Sequence, residues 1–492
     1  MQMLKNLLWG PSSATSGFHL ILSDGVAGLL LTHLSGSKID APTRALFQHA
    51  YDRLTSRDER EGWTSGLWMT ERAGGSDLTP TETTATYSPL GSDNNAKDAD
   101  GFPLGPWELN GLKWFSTGTE ASMAITIART PSGLSCFYVP MRRAVVVDGV
   151  AVGTELNGVR IRRVKQKLGT KALPTSELDL KGMRGWLIGK EGKGIPEIGV
   201  VLNITRIHLT VGICGYAGRA LAAARAFARV RKVARGTRLS SVPLHMRSLA
   251  KAHIVYRAHM VQAFFVTALL AKHEQSQTSA PPALDLVPKN AQDAACLLRL
   301  LGTVSKGTAA LEALGVVHSG MEALGGLGYM ENDDMAFNVA RLYRDAAATC
   351  IGEGTTDVLA TDAVKVMKGK IGTYVMKSYG RWVKASLPTK ESMAPEAAIL
   401  SSQWSELQAA ISSSSLEHLT MDGRSIMERV SKLTSGILLL ADAARDGNPI
   451  ALEVARRWIR PATLLSGSSV EEGLLFDQQI VFGDQPIWCG LP

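Results

Sequence analysis

The 492-residue sequence is poor in cysteine, in long apolar runs and in paired metal ligands, and each shortage excludes a class of protein. Its five cysteines, Cys136, Cys214, Cys296, Cys350 and Cys489, lie far apart with no C-x-x-C pair. That excludes a zinc ribbon and a disulfide framework, and it predicts buried free thiols in a reducing compartment. The ten histidines form no H-E-x-x-H, so His245, His253 and His318 read as solvent or core residues and no metal is expected. Uninterrupted apolar runs such as 263–271 are too short to span a bilayer. The opening MQMLKNLLWGPSS carries one Lys and no Arg, a poor secretory or mitochondrial signal, and residues 489–492 make no lipidation box. A soluble intracellular protein without membrane association is expected, cytoplasmic or mitochondrial. No G-x-G-x-x-G follows a strand, which argues against a Rossmann site. GKEGKG at 189–194 carries Ile195 where a P-loop needs Ser or Thr.

One long stretch lacks acids. Residues 198–273 hold twelve Lys and Arg and no Asp or Glu, while residues 368–492 hold thirteen of each sign. The basic stretch either attracts a polyphosphate ligand or is a helical pair whose arginines are solvated or meet acids elsewhere. These two readings stand level, with nucleic acid behind both.

What is present has a clear order. Residues 1–62 read as helix, with a Ser-Asp-Gly break at 23–25 inside an apolar run from Phe18 to His33. From 63 to about 185, short turn-bounded strands take over: WELNGLKWFS, AITIART, SCFYVPM, GVRIRRV and SELDL. Helical periodicity then runs to 367, clearest in AGRALAAARAFARVRKVA, with a Pro/Ser-rich connection at 276–288. Within the tail, 418–446 reads as one amphipathic helix. The division is 1–62, 63–190, 191–367 and 368–492.

The densest chemistry lies in 324–365. A glycine turn at Gly325, Gly326 and Gly328 leads through Arg341, Arg344 and Asp345 to Gly352-Glu353-Gly354, then Thr355 and the start of a helix. Glycines beside an acid let a ligand approach the backbone, and helix-start N–H groups favour polar ligand groups. Taken alone, most such acids are solvated loop residues. Three more segments accompany it in order: GLWMTERAGGSDL at 66–78, NGLKWFSTG at 110–118 and KLGTKALPTSELDL at 167–180.

These four blocks resemble the acyl-CoA dehydrogenase family in order and spacing over about residues 10–367, and the form of the blocks is similar to its DNA-alkylation-response branch. The resemblance implies an α+β fold: a partial N-terminal helical domain, a middle β-barrel-like domain, a C-terminal helical bundle and an extra helical tail. It implies FAD as cofactor and α,β-dehydrogenation of an acyl-CoA thioester. Glu353 would be the catalytic base and flavin N5 the hydride acceptor. Thr70, Ser76, Trp114, Ser116, Lys232, Gly325, Gly326, Thr355 and Asp357 would meet the cofactor. Asn203 and Arg206 would lie in the substrate helix.

A homodimer or homotetramer is implied, because in relatives the glycine turn completes a neighbour's flavin site. Electron-transfer flavoprotein or oxygen would take the electrons. The competing readings are a non-enzymatic or weakly active flavoprotein that binds DNA or a protein partner, and an acyl-CoA oxidase. Three departures stand out. Gly352 replaces an aromatic residue before the base, which should enlarge the acyl cavity. In KVARG, Lys232 and Arg235 replace the Arg and Phe of a cofactor element. Only 69 residues precede Thr70, fewer than in relatives, so much of the N-terminal helical domain is expected to be missing.

Overall fold

The computed structural model describes residues 2–13, 16–36, 39–91, 96–274, 286–331, 338–460 and 469–483. Cys489, and residues 276–285 of the proposed connection, lie outside them. The chain divides into two compact units: residues 13–205, and residues 1–12 together with 206–492.

The first unit is a closed β-structure with helices on one face. Its strands are β1 (Ser65–Trp68), β2 (Thr84–Tyr87), β3 (Trp107–Thr117), β4 (Met123–Thr130), β5 (Gly133–Pro140), β6 (Arg142–Val147), β7 (Val150–Leu156), β8 (Val159–Val164) and β9 (Thr175–Ile188). β3 pairs with β1 and β2 on one side and with β9 on the other; β9 pairs with β5, β5 with β4, and β4 returns to β1 and β2. The pleat sorts the side chains with period two. Met123, Ile125, Ile127, Cys136 and Tyr138 face one core, and Ala124, Ala128, Phe137 and Val139 face the other. On the first face pack α2 (Ser16–Leu34) and α3 (Ala41–Thr55), through Val26, Leu29, Leu30, Leu46 and Phe47. β6 and β7 form a separate hairpin, turned at Asp148 and Gly149, both at positive φ.

The expected break at 23–25 does not occur: α2 runs through it. Those small residues serve packing instead. Ser23 Oγ accepts from the Ser65 N–H at 3.2 Å, and a methyl on Gly25 would sit 3.0 Å from Val201 and Thr205.

The second unit is helical. It contains α1 (Gln2–Ser13) up to residue 12 and α4 (Gly194–Val230) from residue 206. It continues with α5 (Pro243–Glu274), α6 (Ala291–Ala323), α7 (Gly326–Tyr329), α8 (Val339–Ala347), α9 (Thr356–Lys368), α10 (Gly372–Ser386) and α11 (Ala394–Ser413). It ends with α12 (Leu416–Met421), α13 (Gly423–Asp446), α14 (Pro449–Ile459) and α15 (Val470–Phe482). Alanine-rich faces of α4, α5 and α6 (Ala217, Ala220, Ala252, Ala309, Ala313) let these long helices approach closely. The single helix expected over 418–446 is two: the chain turns at Asp422, and a methyl on Gly423 would sit 3.4 Å from Ala360 of α9.

The expectation about membrane length also needs correction. Although uninterrupted apolar runs are short, a helix tolerates scattered polar residues. Among the described residues, four helices, α2, α4, α5 and α6, are long and apolar enough to cross a membrane by length and composition. In α4 and α6, 78% of the apolar window is buried inside the protein.

Candidate functional site

In the first unit, two of the motif blocks are joined by a buried ion pair. Lys113 on β3 donates to Glu71 at 2.6 Å and to the Ile127 carbonyl at 2.7 Å, with both side chains at most 2% exposed. Glu71 also accepts from the Glu82 N–H at 2.6 Å. Burial alone would raise its carboxyl, but Lys113 and these hydrogen bonds hold it below the usual carboxylate range. Each partner is the chain neighbour of a candidate flavin residue: Thr70 precedes Glu71, and Trp114 follows Lys113. The Trp114 N–H donates to the Thr70 carbonyl at 2.9 Å, so the loop and the strand are locked together there. Sequence reasoning passed over Glu71 and Lys113, although both lie inside the quoted motifs; an acid and a base, one in each of two motif blocks, were the available signal.

Trp114 is half-buried, with the Lys165 ammonium 3.2 Å and the Arg72 guanidinium 4.8 Å from its ring centroid. Two residues on, Ser116 is fully buried and its hydroxyl has no hydrogen-bond partner. An unsatisfied buried hydroxyl costs about 1–3 kcal/mol, so a polar group arriving from a ligand is the natural partner. That orphan beside Trp114 fits a flavin. Thr70 is half-buried and Ser76 exposed, on the turn where Asp77 accepts from the Thr79 N–H at 2.9 Å. Asn203 is half-buried on α4.

In the second unit, Glu353 lies between the turn ending at Cys350 and the start of α9. Its φ is +58°, and that of Gly354 is +108°. A left-handed glutamate costs about 1–2 kcal/mol, and positions like this are held only by their surroundings. Two buried cations do the holding. Arg206, on α4, donates from Nε to the Glu353 carbonyl at 3.1 Å; Lys306, on α6, donates to the Gly354 carbonyl at 2.6 Å. Charge-assisted bonds of this kind contribute about 1.5–3 kcal/mol each, enough to offset the strain.

Arg206 is fixed in turn by Asp362 on α9 at 3.3 Å and by Thr303 at 3.2 Å, and Arg299 holds Asp362 in a two-bond fork at 2.6 and 3.0 Å. Burial would raise the Asp362 carboxyl, but the two arginines keep it below its ordinary range. Gly352 has an ordinary backbone, and a methyl there would meet nothing closer than 3.7 Å. Nothing in the chain conformation demands glycine at 352, so what the glycine supplies is free space.

The glycine turn and the 231–239 loop meet at one cavity of about 650 Å³, lined by Phe227, Arg231, Leu239, His245, Gly325 and Gly326 among others. Gly325 has φ +60°, and a methyl on Gly328 would collide with the Met321 carbonyl at 2.0 Å. Lys232 is exposed; its neighbour Arg231 is the cation that lines the cavity. Thr355 caps α9 through its backbone, without a side-chain bond. Asp357 is exposed and pairs with Arg424 of α13 at 2.6 Å. Asp345 pairs with Arg341 at 2.8 Å, and Arg344 with Glu331. Among the described residues, no group of His, Cys, Asp or Glu is placed to hold a metal ion.

Residues 66–183 match the family model for the acyl-CoA dehydrogenase middle domain, and residues 192–368 match that for the C-terminal domain. Acyl-CoA dehydrogenase family member 11 of Caenorhabditis elegans is 32% identical over 98% of this chain and 75% of its own. The solved C. elegans ACDH-11 in complex with C11-CoA has a TM-score of 0.79 at 31% identity, covering 98% of this chain and 78% of that one. The putative acyl-CoA dehydrogenase AidB of Escherichia coli is 28% identical over 68% of this chain and 54% of its own length. An acyl-CoA dehydrogenase from Bacillus anthracis, solved with FAD, shares the fold with a TM-score of 0.63 at 19% identity, covering 94% of this chain and 81% of that one. Two matched domains in order, with a relative of this identity along almost the whole chain, place the protein: it belongs to the acyl-CoA dehydrogenase family of oxidoreductases.

Proposed function

We propose that the chain carries out FAD-dependent α,β-dehydrogenation of an acyl-CoA thioester with Glu353 as the base. The observation that carries this reading is the left-handed Glu353 between two glycines, its carbonyl and the next one each held by a buried cation. A group kept in a costly conformation by its surroundings is a mark of function. FAD is the cofactor of this family, and its N5 supplies the acceptor for the hydride that leaves the β-carbon.

Glu353 takes the α-proton. That proton is acidic enough only if the thioester carbonyl is polarised, and the Glu353 N–H is the chain's own donor for that oxygen. Acyl-chain binding excludes water, raises the carboxylate's affinity for a proton and strengthens it as a base. Trp114 and Ser116 serve the flavin ring, one by contact and one by hydrogen bond. On the same unit, Thr70 and Ser76 would join that contact; on the other unit, Thr355 and Asp357 are the further candidates for the cofactor. Gly325 and Gly326, with Arg231 lining the same cavity and the exposed Lys232 beside it, would serve the cofactor of a second copy, which would make the protein a homo-oligomer. Asn203 and Arg206 would be the substrate residues, Arg206 acting through the Glu353 carbonyl that it holds.

The space left at Gly352 suits an extended acyl chain, in keeping with the C11-CoA held by the nematode relative. Electron-transfer flavoprotein or oxygen would take the electrons.

The test is anaerobic mixing of purified flavin-loaded protein with acyl-CoAs of several lengths, watching the flavin band bleach. Glu353→Gln should keep its flavin and lose about a hundredfold to ten-thousandfold in bleaching rate. Equal bleaching by both forms rejects the base assignment. No bleaching by wild type with any thioester favours the non-enzymatic flavoprotein in its place.

A further inference from the structure

Lys306 sits in the middle of α6, in a stretch where every residue from 303 to 310 is buried. A lysine there carries a large desolvation cost unless its ammonium is well partnered. Its way backward is closed: a methyl on the adjacent Gly307 would lie 2.6 Å from the sulfur of Met427 on α13, and Thr308 and Ser431 of α13 share a hydrogen bond at 2.9 Å. Forward, Nζ reaches the Gly354 carbonyl at 2.6 Å. The positive φ at Glu353 and Gly354 presents successive carbonyls to Arg206 and Lys306.

We infer that Lys306 is a positioning residue for Glu353: it fixes the backbone from which the base projects and keeps a positive charge beside it. The inference rests on Glu353 being the base. Arg206 anchors the carbonyl of the same residue from α4 and is itself locked by Asp362. Lys306 supplies the second, independent anchor, one peptide further on, so the Glu353–Gly354 and Gly354–Thr355 peptides are each held by a buried cation.

The charges around Lys306 set its pH behaviour. Burial pulls its pKa down to about 8; Glu353 and Cys350 act to retain the proton, and Arg206 acts to release it. On α9, Asp362 is taken up by Arg206 and Arg299. The polar groups that α5 and α13 bring to this turn, Gln262 against Ser305 and Ser431 against Thr308, are neutral. Below pH 8 the Lys306 ammonium and the Glu353 carboxylate attract one another. Above pH 8 the lysine loses its proton, and both the charge and the strong hydrogen bond go with it.

Full-length, flavin-loaded wild type, Lys306→Met, Lys306→Gln and Glu353→Gln test this. Two quantities are read: hydrogen exchange of the 351–355 amides without acyl-CoA, and the pH profile of flavin bleaching with it. Lys306→Met should exchange about tenfold faster or more, because a charged hydrogen bond is gone. It should bleach about a hundredfold more slowly, as expected for a misplaced catalytic group. Acyl-CoA affinity should hold, the acid limb should rise by about one pH unit or more, and the fall near pH 8 should vanish. Lys306→Gln keeps a donor and loses the charge; it should protect the loop better than Met yet show the same shifted limb. It also carries the test if Lys306→Met does not fold.

Wild-type exchange and pH profile in both Lys306 variants, beside an inactive Glu353→Gln, overturn the inference and leave the base assignment standing. A Glu353→Gln form that bleaches normally overturns the base assignment, and the inference falls with it.

Discussion

Two lysines in this protein are equally buried, each about 1% exposed, and they are held in opposite ways. Lys113, in the barrel unit, faces a dedicated carboxylate at 2.6 Å, and the pair is electrically closed. Lys306, in the helical unit, faces a backbone carbonyl, and the carboxylate whose charge acts on it is Glu353. The first arrangement ties one motif block to another and leaves little field outside itself. The second leaves a positive charge beside Glu353, the proposed base. Equal burial therefore says little about role; the identity of the partner decides it.

The comparison breaks most visibly through stability. Lys113→Met strands the Glu71 carboxylate without its cation and should cost about 3–5 kcal/mol, the usual penalty for breaking a buried pair. Glu71→Leu together with Lys113→Met should recover most of that loss, since a closed pair can be exchanged for apolar packing. Denaturant unfolding of the three proteins reads both numbers. A double variant as unstable as the single one would mean that the pair does more than close on itself. The sign with pH follows from the lowered Glu71 carboxyl. Its contribution is complete above the unfolded value, about 4.3, and is lost as the pH falls through the lower folded value. Wild type should therefore hold this contribution to lower pH than an ordinary carboxylate would allow, and the double variant should show no such dependence from this site.

How much of this was legible in the sequence depended on the range of the signal. β3, β4 and β8 follow the turn-bounded runs closely, because a strand's alternation is written locally. The hairpin β6–β7 was missed although Asp148-Gly149 marks it, since its strands are short and β7 is exposed throughout. At 23–25, Ser-Asp-Gly looks like punctuation, and only the packing of Ser23 and Gly25 explains why the helix continues.

The basic stretch 198–273 is the plainest case of information held far away in the chain. Arg225 and Arg257 donate to the carbonyls of Val481 and Ile480, Arg247 pairs with Asp477, and Arg229 lies over Phe482. These arginines serve the C-terminal end of α15 and the neutral tail, where a helix terminus favours cations. His253, among them, is pulled down to about 3 by burial and by Arg257 and Arg225, so it stays neutral. Glu353 stands out in the sequence between its glycines, whereas Lys306 was one lysine in an alanine-rich helix until the fold brought it to Gly354.

A smaller effect sharpens the barrel side. Ser116→Ala removes a buried hydroxyl that has no partner within the protein. Flavin-free protein should be unchanged or slightly more stable, because an unsatisfied group has been deleted. Flavin affinity should fall by about 1 kcal/mol, the net worth of one hydrogen bond. Flavin titration followed by fluorescence measures it. Unchanged affinity would place the flavin's polar edge away from Ser116.

The smallest expected effect concerns Asp357, whose exposed carboxylate is joined to Arg424 of the tail. Arg424 holds that carboxylate below its usual range, but both groups stand in solvent, where an ion pair contributes little and is screened by salt. Arg424→Ala should therefore leave the melting temperature and the flavin content where they are. Asp357→Asn separates the two uses of the residue. If its carboxylate serves only the tail, the variant should match Arg424→Ala in every measurement. If it meets the cofactor, flavin retention should drop in Asp357→Asn alone. Flavin absorbance per mole of protein after dialysis, for both variants side by side, decides between them, and equal retention removes Asp357 from the cofactor site.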